Sequence, residues 1–217
     1  MFDWTVVGAG PAGIAAVGQL LDAKVHPERI AWIDPHFKVG DFGTAWKRVT
    51  SNTPVESFLK FYRAFESFKF DKPHKPFMIE RLKPEKTCPL MLAAEPLRRI
   101  TETLKAEVKA LQNTVLAMQQ TPQGWFITLP THSIESHKVI LAFGSESRSL
   151  PYPNLETIAL QTALDLPTLQ AQVSDRDVIA VFGAYQAARS VQENLAKTKV
   201  KRIIHSHCEL MYPHENV

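Results

Sequence analysis

The chain is poor in the residues that build covalent or metal-bound scaffolds. Its 217 residues include only two cysteines, Cys88 and Cys208, and no Cys-x-x-Cys pair. That disfavours a disulfide framework, a zinc site and a redox-active dithiol. Each cysteine reads as a small packing or surface residue, because neither stands in a nucleophile signature. His205, His207 and His214 have no companion acid cluster, so no metal is expected. No apolar run approaches the roughly 18 residues a membrane span needs. Charge of one sign is also lacking: a net charge of +3 is too small to imply a polyanionic partner. The chain opens directly on an apolar run and leaves no room for a signal peptide, so a reducing cytoplasm is the expected setting. The apolar share of 45% and charged share of 22% are ordinary, and a real core can be buried in one domain or two small ones.

What is present is concentrated at the front. Trp4 to Val7 is a short apolar run, followed by Gly8-x-Gly10-x-x-Gly13, a stretch of small and apolar residues, and a second apolar run closed by Asp34. The pattern predicts strand, tight turn, helix and strand. Gly8 permits the turn, Gly10 lets the backbone approach a pyrophosphate, and Gly13 lets helix and strand pack closely. Pro11 and Ala12 lie inside the same turn, at the helix start that points free N–H groups and a positive dipole end at phosphates. Asp34 falls about 20 residues beyond the last glycine, where a carboxylate accepts ribose hydroxyls. Gly-x-Gly-x-x-Gly alone is weak evidence. With strand, helix and acid all in place it predicts a dinucleotide site.

Gly40 and Gly43 mark a loop, and Ser51-Asn52-Thr53-Pro54 is turn chemistry. The opening fingerprint, Gly43-x-x-Trp46-Lys47 and Ser51 to Pro54 together resemble the N-terminal half of the FAD-dependent pyridine-nucleotide oxidoreductases. The closest branch is the one with flavin-containing monooxygenases. The resemblance implies that Thr44, Trp46 and Asn52 line the cofactor, with Asn52 near the flavin's reactive edge. Read without it, Trp46 is a core aromatic and Asn52 a turn former.

From Phe58 to Lys86 aromatics and cations interleave, but Glu66, Asp71, Glu80 and Glu85 dilute the charge and no nucleic-acid module signature appears. No nucleic-acid partner is expected. Phe58, Phe61, Tyr62 and Phe65 fit one helical face, and the segment reads as a packed excursion or a lid, irregular through Pro73 to Pro84. Glu95-Pro96 is expected to start a helix carrying Leu97, Ile100, Leu104, Val108 and Leu111 on its apolar stripe. Thr114 to Met118 and Trp125 to Leu129 read as strands about a Pro122-Gln123-Gly124 turn, and Lys138 to Ala142, too apolar for an edge, as a strand entering the main sheet beside the first. The resemblance places Ala142 and Gly144 against the cofactor, with Phe143 in place of a threonine as a packing residue.

After a connector with a short helix begun by Asp165 and Pro167, the opening theme returns. Val178 to Phe182 reads as a strand, Gly183-x-Tyr185-x-x-Ala188 as the turn, and Lys201 to His205 as a second strand. Tyr185 stands where the second glycine belongs, so this unit either binds a nucleotide or keeps only the shape. No acid closes its second strand, which beside Arg202 is compatible with a 2′-phosphate and hence NADPH. The expected class is α/β: a Rossmann-like three-layer FAD-binding domain with a small β-meander over residues 1–150, with an excursion at about 41–94. A partial NAD(P)H-binding-like βαβ unit follows over 151–217. Cofactor contacts are expected at Gly8, Gly10, Pro11, Ala12, Gly13, Asp34, Thr44, Trp46, Asn52, Gly144, Gly183 and Arg202, and no residue stands out as acid or base. The resemblance implies an NAD(P)H-dependent, monooxygenase-like flavoprotein. The other readings are a non-catalytic nucleotide binder and a plain NAD dehydrogenase. A family member would continue past Val217, so a missing C-terminal part or self-association is expected, and the substrate is not readable.

Overall fold

The computed structural model describes residues 1–73, 75–147, 152–183 and 185–206. His207, Cys208 and His214 lie outside them. The chain divides into two compact units, Met1–Glu146 and Ser147–Val217.

In the first unit β1 (Phe2–Val7), α1 (Pro11–Asp22) and β2 (Ile30–Asp34) realise the opening pattern. A one-turn helix α2 (Gly40–Gly43) stands where a loop is expected, followed by α3 (Val55–Tyr62) and α4 (Leu90–Lys105). The sheet is completed by β3 (Lys109–Gln112), β4 (Ala117–Thr121), β5 (Gly124–Thr128) and β6 (Ser133–Leu141). Its strand order is β3-β2-β1-β6-β5-β4. β1 lies parallel between β2 and β6, β3 is parallel to β2, and β4, β5 and β6 form an antiparallel meander. The third apolar run thus enters beside the first strand.

Successive strand residues face opposite sides of a sheet, and this separates two cores. Val6, Ile30 and Trp32 pack with Ile14 and Val17 of α1 and Leu97, Ile100 and Leu104 of α4. Ile33 instead joins Ile127 and Leu129 of the meander side, with Leu111 and Val139 partly buried beside them. These are the three expected layers.

Three local expectations are corrected. α4 begins at Leu90, with Pro89 as its N-cap, and Pro96 lies inside it. Leu90, Ala93 and Ala94 extend the buried stripe backwards by two turns, and that burial outweighs the backbone donor Pro96 lacks. Val108 and Leu111 lie beyond the helix. The chain turns after Lys105, and Lys109–Gln112 pairs with β2, since a buried parallel strand needs a partner on each edge. The first meander strand starts at Ala117 rather than Thr114.

The aromatic excursion is part of the core. Tyr62, Phe68 and Phe70 are buried, with Phe58, Phe61, Phe65 and Phe77 packed against the same cluster as β1 and α1. Phe65 falls outside α3 because the Asp22 carboxylate, at the end of α1, takes the Glu66 and Ser67 amides at 2.8 and 3.0 Å and starts a separate 3-10 turn.

The second unit contains α5 (Leu160–Leu164), α6 (Leu166–Gln172), β7 (Val178–Phe182), α7 (Gln186–Leu195) and β8 (Arg202–Ser206). Asp165 is the N-cap of α6, and Pro167 stands in its first turn. β7 and β8 pair in parallel as a two-stranded sheet.

Candidate functional site

The first site is built by β2 holding the turn that leaves β1. The Gly8 amide donates to the Ile33 carbonyl at 2.8 Å. The Ala9 amide donates to Asp34 Oδ2 at 2.8 Å. Trp32 Nε1 donates to the Gly8 carbonyl at 2.8 Å from a fully buried position. Three successive β2 residues therefore each hold one polar atom of the turn.

Gly8 has φ +106°, and a Cβ on it would stand 2.3 Å from the Ala142 carbonyl oxygen. A Cβ on Gly13 would stand 1.9 Å from the Gly8 carbonyl oxygen. Both glycines are thus demanded by the turn and by helix–strand contact. Gly10 differs. It is the N-cap of α1 at φ −76°, and among the described residues a Cβ there would meet only the Gly40 Cα, at 4.0 Å. Space is open beside Gly10, where the helix begins. Pro11 there has no N–H to satisfy, and the amides of Ala12 and Gly13 have no intrahelical acceptor. Ala12 is exposed, and Gly10 and Pro11 are half-buried. Free N–H donors at a helix start with open space beside them suit an anion such as a diphosphate.

Asp34 Oδ1 accepts the His36 and Phe37 amides at 2.8 and 2.6 Å. With Ala9 this takes three of the roughly four acceptor sites of a carboxylate, leaving one on Oδ2. Beyond Asp34 the chain is strained: Phe37, Val39 and Gly40 have φ of 51°, 65° and 55°. For a phenylalanine and a β-branched valine this left-handed backbone is costly, and such strain gathers at functional sites. It turns Gly40 back onto Gly10, with the Gly10 Cα 3.1 Å from where a Gly40 Cβ would lie. Thr44 follows α2, exposed, its hydroxyl donating to the Gly40 carbonyl at 2.9 Å. Trp46 is half-buried, and Asn52 is exposed, its side-chain oxygen accepting the Thr53 hydroxyl at 3.4 Å. At the end of β6 the Ala142 amide donates to the Val7 carbonyl at 2.8 Å, and Gly144 follows with φ +74° and, among the described residues, no atom within 4 Å of a Cβ position.

In the second unit the Gly183 amide donates to the Ser206 carbonyl at 3.0 Å, and His205 Nε2 lies 2.6 Å from the Gly183 carbonyl oxygen. Gly183 has φ +134°, and a Cβ on it would stand 3.3 Å from the Ala188 Cβ. Tyr185 is the N-cap of α7 and 88% exposed. Arg202 is not brought to this turn. It pairs with Val178 at the start of β8, four residues from the strand end that meets Gly183.

Gly8, Gly10, Pro11, Ala12, Gly13 and Asp34 are thus gathered at one turn. Trp32, Gly40 and Val39 escape a motif search. For Trp32 a signal was there: an indole in a strand buried on both faces needs an acceptor for its N–H. A surface cavity of about 870 Å³ between Asp22 and Pro73 lies at the far end of α1 from Gly10, lined by Lys24, Arg63 and Lys69 along with Glu66 and Asp71. Among the described residues no three His, Cys, Asp or Glu side chains gather to hold a metal, and no helix is long and apolar enough to cross a membrane.

A Rossmann-like unit whose glycine turn opens on a helix start defines a dinucleotide-binding protein. The FAD-NAD(P)-binding family model matches residues 5–146, more than half of the chain, and the chain belongs to that family. Monooxygenase AgnR1 of Paecilomyces divaricatus is 28% identical over 189 residues, which span 80% of this chain and 45% of that relative. This chain therefore spans less than half the length of the curated relative it matches. Among solved structures, the bacillithiol disulfide reductase Bdr of Staphylococcus aureus aligns with a TM-score of 0.64 at 15% identity, covering 98% of this chain and 60% of that one. The lysine monooxygenase NbtG of Nocardia farcinica aligns at 0.64 and 15%, covering 93% and 59%. At such identity these structures speak for the fold.

Proposed function

We propose that residues 1–150 bind FAD and that the chain is the front portion of an NAD(P)H-dependent flavin oxidoreductase of the monooxygenase-like kind. The observation that carries this is the open space at Gly10, where the start of α1 faces Gly40 and, among the described residues, the nearest atom to a β-carbon is the Gly40 Cα at 4.0 Å. In this reading the turn from Gly8 to Gly13 holds the diphosphate, the remaining Oδ2 acceptor of Asp34 takes a ribose hydroxyl, and Gly40 forms the opposite wall. Thr44, Trp46, Asn52 and Gly144 extend the contact towards the flavin. Bound there, FAD supplies the two-electron chemistry between a nicotinamide and an acceptor. The residues of this chain bind and orient it. The matched monooxygenase supports the branch, as does the lack of any Cys-x-x-Cys dithiol. A cytoplasmic setting belongs to the same proposal.

The test is the co-purifying cofactor and its response to Gly10→Val. The wild-type chain is expected to carry oxidised-flavin absorbance. The variant, with open space for its side chain, is expected to fold and lose the flavin. Unchanged flavin content in the variant would discard the assignment of this loop.

A second reading is favoured by one observation. Tyr185 occupies the N-cap of α7, where the second glycine would admit a diphosphate. On that reading residues 151–217 keep the βαβ shape without binding NAD(P)H, and the chain holds FAD without turnover. We further propose that the β7–β8 sheet is covered by additional chain or by a second copy, because Val178, Phe182 and Ile204 are 54%, 52% and 42% exposed. A monodisperse monomer in sedimentation with little dye-accessible apolar surface would count against it.

A further inference from the structure

The two units share a feature that their glycine spacing does not reveal. In the first, Val7 pairs with Ile33, the Gly8 amide donates to the Ile33 carbonyl, and the ring of the preceding residue, Trp32, donates to the Gly8 carbonyl. In the second, Phe182 pairs with Ser206, the Gly183 amide donates to the Ser206 carbonyl, and the ring of the preceding residue, His205, reaches the Gly183 carbonyl. The register is the same in both. A carbonyl only accepts, so His205 carries its proton on Nε2 in this contact.

We propose that this ring N–H, Trp32 in the first unit and His205 in the second, is a positioning latch that sets the peptide after the first glycine in the shape a nucleotide diphosphate needs; its link to binding rests on the FAD reading above. A peptide plane has two polar ends. In the first unit both ends of the Gly8–Ala9 peptide are held from β2, the oxygen by Trp32 and the N–H by Asp34. The plane cannot rotate without breaking a buried bond, and the amides that follow at the start of α1 are aimed before any ligand arrives. The held oxygen is also the atom that requires glycine at position 13, with 1.9 Å between it and a Cβ there. The latch and the third glycine therefore act on one atom. Trp32 is itself wedged edge-on to Phe37, with ring centroids 5.0 Å apart, which ties the strained segment after Asp34 to the same indole.

Without the latch the turn samples other peptide orientations, and the apparent FAD affinity falls by the fraction left competent. The variants are Trp32→Phe and, to keep the bicyclic ring, replacement of Trp32 by benzothienylalanine, which carries sulfur in place of the indole N–H. In the full chain, amide exchange at Ala9 and Gly10 is expected to quicken. The FAD dissociation constant should rise at least tenfold, mainly through slower association. His205→Leu should likewise quicken exchange around Gly183, with His205→Gln, which keeps a donor nitrogen, restoring it. Unchanged exchange in the benzothienyl variant overturns the latch. A lower unfolding midpoint with an unchanged FAD dissociation constant overturns its role in binding and leaves Trp32 a packing residue. If exchange responds but the wild-type chain retains no FAD, the latch stands and the cofactor assignment fails.

Discussion

Thr5 is fully buried in β1, between Trp4 and Val6, and among the described residues its hydroxyl has no hydrogen-bond partner. An unpartnered buried hydroxyl costs free energy that a methyl group of similar shape does not. Thr5→Val is therefore expected to raise stability by about 1 kcal/mol, seen as a higher denaturant midpoint with an unchanged slope. A lower midpoint would mean the hydroxyl has a partner in solution. Tyr62 and Cys88 form a second residue-scale case. Burial pushes both groups up, with the Cys88 thiolate a further, smaller cause for Tyr62, whose hydroxyl donates to the Ala93 carbonyl at 2.9 Å. The folded chain then holds these protons at pH values where the unfolded chain has released them. Their contribution to stability is whole below the unfolded pKa values of about 8.5 and 10 and is lost as pH rises past them. Unfolding measured from pH 7 to 11 should show stability declining above about pH 9. Stability that stays level across that range contradicts this.

At the scale of the element, α4 carries a proline at its seventh residue, buried against the core. Pro96 leaves the Leu92 carbonyl without its helical donor, a penalty of about 3 kcal/mol relative to alanine in a helix interior. Loss of the packed ring and a freer unfolded chain offset part of this. Pro96→Ala should stabilise the chain by about 1 kcal/mol net, read from chemical denaturation. Destabilisation would show that the ring's packing outweighs the missing bond. The same helix shows why periodicity alone misplaces boundaries. Leu104, Val108 and Leu111 keep helical spacing across a helix end, a turn and a strand, because burial is required on both sides of the break. Asp22 makes a similar point: it ends α1 and also captures the amides of Glu66 and Ser67, a pairing across more than forty residues that no local pattern encodes.

For the whole molecule the open issue is whether two turns of one design have one function. Both hold the first glycine's carbonyl by a ring nitrogen, but the first has Gly10 where the second has the exposed Tyr185. If the second unit binds NAD(P)H, anaerobic addition of NADPH to the flavin-loaded chain should bleach its visible absorbance. A spectrum unmoved by NADPH and by NADH would favour the non-catalytic reading.

The amino-acid order by itself determined the strand–turn–helix–strand opening, the glycines at 8 and 13 and the neighbourhood of Asp34, because each depends on residues within one supersecondary unit. It also marked the second unit and its tyrosine. Only the tertiary structure decided what presses on that turn: Trp32 beneath the Gly8 carbonyl, Gly40 across from Gly10, and the Ala142 carbonyl beside Gly8. It likewise folded the aromatic excursion into the core and left Arg202 at the wrong end of its strand. Contacts between segments far apart in the chain carry no periodicity of their own. They are settled when the sheet's register and the two buried faces select one arrangement.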